Sequence, residues 1–360
     1  MLRHLSRTIV AVLLLLTGWA SPAAETGVIL MYHHVADDTP QSTSIAPAVF
    51  AEQLAFLERD NFNVVPLIDL LDGLESKSAV ADRSVAITFD DAYLSVLTEA
   101  LPLLQSRGWP FTVFVNTEAI DSGYGGYLSW DELRLLAESG ASIGNHSVTH
   151  SHLVRRLAGE TASGWRQRVT EEISVAADRL QAELGDYLIP AFAYPYGEYT
   201  VDVKAIVQAL GLYGLGQQSG AVGYGSDFLA LPRYPVATGL ALADYALRVR
   251  SLPLPVTLVG DERHILDAVN DGRPALRLAL DSVDDIRTDE LACYASGQGR
   301  MPLAWRGDTM REFVTRPVSA LGTGRSKVNC TAPSRAMPGV YYWYGHLWMR
   351  GFDDGRWYDE

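Results

Sequence analysis

Ser84-Val85-Ala86-Ile87-Thr88-Phe89-Asp90-Asp91 decides the fold. Small apolar and β-branched residues run without a break into two adjacent carboxylates, and Ala92-Tyr93-Leu94 opens the next element. An uninterrupted apolar run of this length reads as a strand buried on both faces, the habit of parallel sheets. Catalytic groups of parallel α/β folds collect at the carboxyl ends of such strands. Two carboxylates there are costly to desolvate unless a proton, a metal or a partner charge relieves them. On this stretch alone the plainer reading is that Asp91 caps the following helix and Asp90 is solvated.

Outward from it, strand and helix patterns alternate. Val28 to Tyr32 reads as a buried strand ending in His33-His34, and Phe111 to Val115 as another. Between them the spacing predicts helices over 47–61 and 67–74, with a third over 92–107 stopped by Gly108. Ser129 with Glu132 three residues on is a capping box, opening a helix that runs to Gly140. A short strand at 141–144 then delivers Asn145-His146-Ser147-Val148-Thr149-His150. A polar helix over 162–184, a strand over 191–196, a helix over 201–210 and an extended 213–216 complete about seven β/α units before residue 240. That pattern predicts a parallel sheet closed into a distorted (β/α) barrel. Beyond Ser251-Leu252-Pro253-Leu254-Pro255 the texture changes to short strands and turns, which predicts a small all-β, sandwich-like domain. The expected division is a leader over 1–24, the barrel over 25–248 and the β-rich domain over 249–360.

The leader is read from Arg3, His4 and Arg7, the apolar run from Ile9 to Leu16, and small residues from Ala20 to Ala24. This is the layout of a secretory signal peptide, too short for a comfortable membrane span. An exported chain, periplasmic or extracellular, without stable membrane insertion is expected. The formal charge is −14, and the leader carries Arg3 and Arg7 and no acid. Such a surface repels nucleic acid and anionic lipid, and suits a neutral substrate or one that becomes cationic. Cys293 and Cys330 are the two cysteines, both in the last quarter, and in an exported protein they read as one disulfide. Oligomeric state is not legible.

His146 and His150 stand four residues apart just after a strand end. If the segment turns helically, both rings lie on one face and can share a metal ion. With Asp91 as third ligand the set is two His and one carboxylate with a position left open, the catalytic pattern. An ion there acidifies water and polarises a carbonyl, and its charge relieves both neighbouring carboxylates. Asp90 is then placed to act as general base. Zinc is the first choice of divalent ion, with cobalt, nickel and iron suited by the same ligands.

Thr88-Phe89-Asp90-Asp91 and His146-Ser147-Val148-Thr149-His150 resemble the first two motifs of the polysaccharide deacetylase (NodB-homology, carbohydrate esterase family 4) family. Phe192-Ala193-Tyr194-Pro195-Tyr196-Gly197 is similar to its third, Arg-x-Pro-Tyr, motif, and the resemblance runs over roughly 27–240. It implies a metal-dependent deacetylase of N-acetylhexosamine polymers, with Asp90 as base, Asp91, His146 and His150 as ligands, and the Tyr196 backbone N–H as an oxyanion donor. Ala193 departs from the family, standing where the motif has Arg. Arg233, in Leu231-Pro232-Arg233-Tyr234-Pro235, is the candidate substitute, against an ordinary surface arginine. No apolar strand ending in His follows the third motif before residue 250, whereas Leu30-Met31-Tyr32-His33-His34 is one. That order resembles the circularly permuted branch, which includes biofilm poly-N-acetylglucosamine deacetylases, and implies His33 as the acid with His34 as a structural neighbour. Two rivals stand beside it: an O-acetyl esterase of xylan type, and a non-catalytic glycan-binding or export protein on a degenerate barrel. Tyr124, Tyr127, Trp130, Tyr196 and Tyr199 are candidate sugar-stacking residues at the rim. Tyr341 to Tyr344, Trp348 and Trp357 invite the same reading, with core packing as the default.

Overall fold

The computed structural model describes residues 23–266, 272–307 and 309–358, so nearly all of the expected leader lies outside the described residues. Parallel strands form the framework, and they are buried because their sequences are apolar on both faces. Every residue of Ser84–Phe89 and of Phe111–Val115 is buried. The sheet runs Tyr213–Leu215, Leu188–Ala193, Ala141–Asn145, Phe111–Val115, Ser84–Phe89, Thr26–Tyr32, each parallel to the next. Tyr234–Pro235 adds parallel to the first strand through Leu30 and Met31, while Leu231 bridges to Leu215 on the other edge. The segment 231–235 therefore joins the two edges and closes a ring of seven strands. Carboxyl ends of all seven face one way, and the sequence motifs sit on them.

Helices cover the outside. Ala162–Leu184 buries Trp165, Val169, Ile173, Ala176, Leu180 and Leu184, steps of three and four that keep one stripe on the barrel. Trp130–Glu138 starts with the expected capping box, both hydrogen bonds present. The helix expected over 92–107 differs from expectation. Asp91 and Ala92 take φ of +74° and +59°, so the chain reverses before any helix begins. Val96–Ala100 is then a wide π-type turn ahead of Leu101–Gln105. Pro102, with no N–H to give to the preceding turn, accounts for the widening. Asp91 therefore caps no helix.

After helix Leu242–Val249, two antiparallel-rich sheets enclose a second apolar cluster that includes Leu278, Phe313, Val328 and Trp348. Cys293 and Cys330 are register partners on neighbouring strands and are joined by a disulfide. Tyr341–Arg350 is shared between the two parts. Trp343, Leu347 and Met349 face the barrel, Trp343 against Tyr234 at 5.4 Å, whereas Tyr342, Tyr344 and Trp348 pack into the β-rich cluster. Strand alternation thus splits these rings between the two faces: Trp348 is buried, and Tyr342, Trp343 and Tyr344 are half-buried. Among the described residues no helix is long and apolar enough to cross a membrane.

Candidate active site

The strand Ser84–Phe89 delivers Asp90 to the middle of the barrel mouth, where its backbone N–H bonds to Tyr32 O at 2.9 Å. Its carboxylate is wholly buried and is gripped by Arg233, Nη1 to Oδ1 at 2.6 Å and Nη2 to Oδ2 at 2.7 Å. The guanidinium is equally buried, gives Nε to Gly216 O and lies over the Phe114 ring. Arg233 is no surface arginine. Burial pushes the Asp90 carboxyl up, and Arg233 and His146 outweigh it, holding the group ionised below its ordinary range.

Asp91, turned by its left-handed backbone, faces His146 and His150. Its Oδ1 lies 3.4 Å from Nε2 of both His146 and His150. Burial again works against the charge, and His146, His150 and His33 overcome it, so the carboxyl stays below its normal range. Asp91 Oδ1 and His146 Nε2 are buried with no hydrogen-bond partner. Unpaired buried polar atoms are costly, and two that lie close together with His150 beside them are a candidate chelating set. The candidate ligand atoms of Asp91, His146 and His150 all lie within 4.8 Å of one another. His146 Nδ1 bonds to Ala193 O at 2.7 Å, which puts its proton on Nδ1 and leaves the Nε2 lone pair for an ion. Burial, then His146, lowers His150 to about 4, so its ring is neutral, whereas at His146 burial is outweighed by Asp91 and Asp90, which raise its pKa. These donors fit a divalent ion.

The histidines are not on a helical turn, contrary to expectation. Ser147 and His150 take φ of +68° and +55°, and the loop is pinned from outside. Asn145 Oδ1 accepts Ser147 N–H at 2.8 Å, and Glu172 of the long helix accepts Thr149 N–H at 3.0 Å and its hydroxyl at 2.8 Å. Tyr196 sits in a tight turn, φ +59°, between Pro195 and Gly197. Gly197 has φ +69°, and a Cβ there would lie 2.5 Å from Gln217, so only glycine fits.

His33 faces inward, within electrostatic reach of Asp91, Asp90, Arg233 and His146; burial lowers its pKa and the carboxylates oppose that. His34 instead stacks on Tyr93 at 3.5 Å between ring centroids. Strand alternation separates the two as expected. Tyr93 is a site residue that sequence reading missed: burial and the adjacent Asp91 raise its pKa, and its ring also meets Tyr127 at 4.8 Å. Its position just after the Asp pair was the available signal. His152 stacks on Tyr196 at 3.9 Å and bonds to Glu198. Tyr199 is buried against His264 rather than at the rim, whereas Tyr124 is exposed. A cavity of about 460 Å³ lies apart from the triad, between barrel and β-rich part. Two of its acids, Asp227 and Glu262, are already paired with Lys204.

A parallel barrel whose mouth holds Asp91, His146 and His150 around one point, beside a clamped second aspartate, is an arrangement suited to metal-assisted hydrolysis. Residues 77–215 match the model of the polysaccharide deacetylase family. The match includes Asp90, Asp91, His146, His150 and Tyr196, and leaves out His33 and Arg233. The poly-beta-1,6-N-acetyl-D-glucosamine N-deacetylase of Escherichia coli (strain K12) is 20% identical over 261 residues, 62% of this chain but 38% of that protein. This chain therefore spans well under half the length of that relative. Among solved structures, the Streptococcus pyogenes deacetylase PplD in complex with acetate superposes with a TM-score of 0.56 at 22% identity, covering 63% of this chain and 99% of that one. IcaB from Ammonifex degensii gives 0.53 at 25%, covering 60% and 94%. These likenesses show the fold.

Proposed function

We propose that this chain is an exported, metal-dependent N-deacetylase of an N-acetylhexosamine polysaccharide. The observation that carries the reading is the pairing of an orphaned Asp91-His146 couple, completed by His150, with an Arg-clamped Asp90. A divalent ion held by Asp91, His146 and His150, zinc being the first choice, would polarise the acetyl carbonyl and acidify water, which offsets the weak basicity that Arg233 imposes on Asp90. Asp90 takes the proton as the water oxygen attacks the carbonyl carbon. The Tyr196 N–H donates to the oxygen that gains charge. His33 hands a proton to the amine nitrogen as the C–N bond breaks, releasing acetate and a free amine. That amine becomes cationic, and the acidic chain attracts the product chain it forms.

The relative named for poly-N-acetylglucosamine supports an N-acetyl substrate. Export rests on the leader pattern and on the Cys293–Cys330 disulfide. The catalytic unit is assigned to 25–248 and the β-rich unit to 249–360. Acetate release from poly-β-1,6-N-acetylglucosamine and from O-acetylated xylan, side by side, tests the reading. Release from the first with Zn²⁺ present, abolished in Asp90→Asn, is the expected outcome. Release from xylan alone would replace it with the esterase reading, and none from any acetylated glycan with the binding-protein reading.

A further inference from the structure

The turn at Tyr196 is not held by the barrel alone. Arg325, on the strand Gly324–Pro333 of the β-rich part, donates its Nη1 proton to the Tyr196 carbonyl and sits 5.6 Å over the Tyr196 ring. From the far end of the chain, the Tyr358 hydroxyl donates to Glu198 Oε1 at 2.6 Å. Glu198 is buried, and its other oxygen lies 2.9 Å from His152 Nδ1, the ring stacked on Tyr196 with 9° between planes. Arg155 ties Tyr358 down in turn, Nη1 to the Tyr358 carbonyl at 2.7 Å with the guanidinium 4.5 Å over its ring. Two residues from outside the matched family segment thus converge on one turn, one through its carbonyl and one through Glu198 and His152.

That turn needs support. A non-glycine residue at φ +59° persists only where its surroundings over-determine it, and such positions cluster where strain serves a site. Fixing φ and ψ of Tyr196 fixes the direction of its N–H. A donor that has to meet a developing oxyanion works only if it is already aimed.

We propose that Arg325 and Tyr358 are positioning residues for the Tyr196 turn, so that the β-rich part completes the active site instead of serving as a separate glycan-binding module. This rests on the reading of Tyr196 N–H as the oxyanion donor.

The test uses the full chain and three variants, Arg325→Ala, Arg325→Lys and Tyr358→Phe. Hydrogen exchange is followed by mass spectrometry, and kcat and KM on poly-β-1,6-N-acetylglucosamine are measured with Zn²⁺ present. Arg325→Ala is expected to lower kcat by about tenfold or more with KM within about twofold, the signature of a lost transition-state interaction. Peptides covering 194–199 exchange faster, those covering 88–92 and 145–150 do not, and Zn²⁺ affinity is unchanged. Arg325→Lys restores part of kcat, and Tyr358→Phe, which keeps the ring, shows a smaller loss of the same kind. If Arg325→Ala fails to fold, the Lys and Phe variants carry the test. Unchanged exchange over 194–199, an unchanged kcat, or a kcat loss matched by lost Zn²⁺ binding would each overturn the proposal. Faster exchange confined to 194–199 in a chain inactive on this substrate would uphold the positioning and sink the deacetylase reading instead.

Discussion

Arg233 meets both carboxylate oxygens of Asp90, at 2.6 and 2.7 Å, with neither side chain exposed to solvent. The two are 143 residues apart, and a strand pair brings them together: Tyr234–Pro235 lies parallel to Leu30 and Met31, beside the strand that carries Asp90. Ala193 fills the place of the family arginine, and its carbonyl serves His146 instead. The clamp on Asp90 thus enters from a neighbouring strand. A bidentate guanidinium fixes the carboxylate plane as well as its charge, which an ammonium cannot do.

Removing one member of a buried ion pair strands the other. Arg233→Met is expected to cost about 3–5 kcal/mol in urea unfolding and to drop acetate release steeply. Arg233→Lys falls between, because it keeps charge and loses the fork. A Met variant as stable and as active as the parent would show that the clamp is dispensable.

The orphaned atoms of the triad make a prediction that needs no substrate. On the proposed reading Zn²⁺ would bind the folded chain at a site the unfolded one lacks, so saturating ion should raise the melting temperature, by about 2.7 kcal/mol of stability at 100 times Kd. His146→Ala and Asp91→Ala should melt at a temperature that Zn²⁺ no longer moves. A Zn²⁺-dependent shift that survives in both would place the ion elsewhere.

Much of this was legible because the signals are local. A hexamer of small, apolar and β-branched residues specifies a buried parallel strand, and paired acids and paired histidines at strand ends point to side chains that the fold brings together. The strand boundaries and the capping box at Ser129 follow from the same kind of signal. What escaped depends on backbone reversal or on distant pairing. No periodicity announces the left-handed Asp91-Ala92 step, and so the helix after it was expected too early. The Ser147 and His150 φ values likewise replace a helical turn with a loop that Glu172 holds from another element. Arg233 could be named as a candidate but not placed, since its burial follows from ring closure. Arg325 and Tyr358 gave no sequence signal, because their contacts with the Tyr196 turn span 129 and 160 residues.

His33 and His34 are adjacent but face different surroundings, and substitution should separate them. His33→Ala is expected to cut kcat by about 10²–10⁴-fold, the range for loss of a general acid. His34→Ala removes a ring stacked on Tyr93 and should cost no more than about tenfold. Equal losses, or a larger one at His34, would reverse the assignment.

The Cys293–Cys330 link closes a 37-residue separation inside the β-rich part. Chain-entropy arguments give about 3–4 kcal/mol for a loop of that size. The Cys293→Ala, Cys330→Ala double variant should therefore unfold at lower urea concentration, with early exposure of Trp348, which packs in the same cluster. Intrinsic fluorescence follows it directly. A midpoint unchanged by the double substitution, or by reduction of the parent, would show the link to be energetically idle.

His346 sets an acid limit on the contact between the two parts. Burial first, and His264 beside it, push its pKa down to about 3, with Glu262 opposing. Groups facing it are His264 at 4.9 Å between rings, Tyr344, Trp348, and Glu262, itself paired with Lys204. A histidine neutral in the fold and free to take a proton when unfolded favours the unfolded chain as pH falls. Its contribution is complete above the ordinary value of 6.5 and is lost progressively toward 3. Glu262, lowered to about 2 chiefly by its bond to His264, begins to add a loss of the same sign below 4.5. The window from 6.5 to 4.5 therefore isolates His346 from that acid. His150 is depressed too, so the comparison must be between the parent and His346→Gln. Over that window the parent should lose up to about 1.4 kcal/mol per pH unit more than the variant. Parallel stability curves for the two proteins would mean that His346 does not titrate on unfolding in that window.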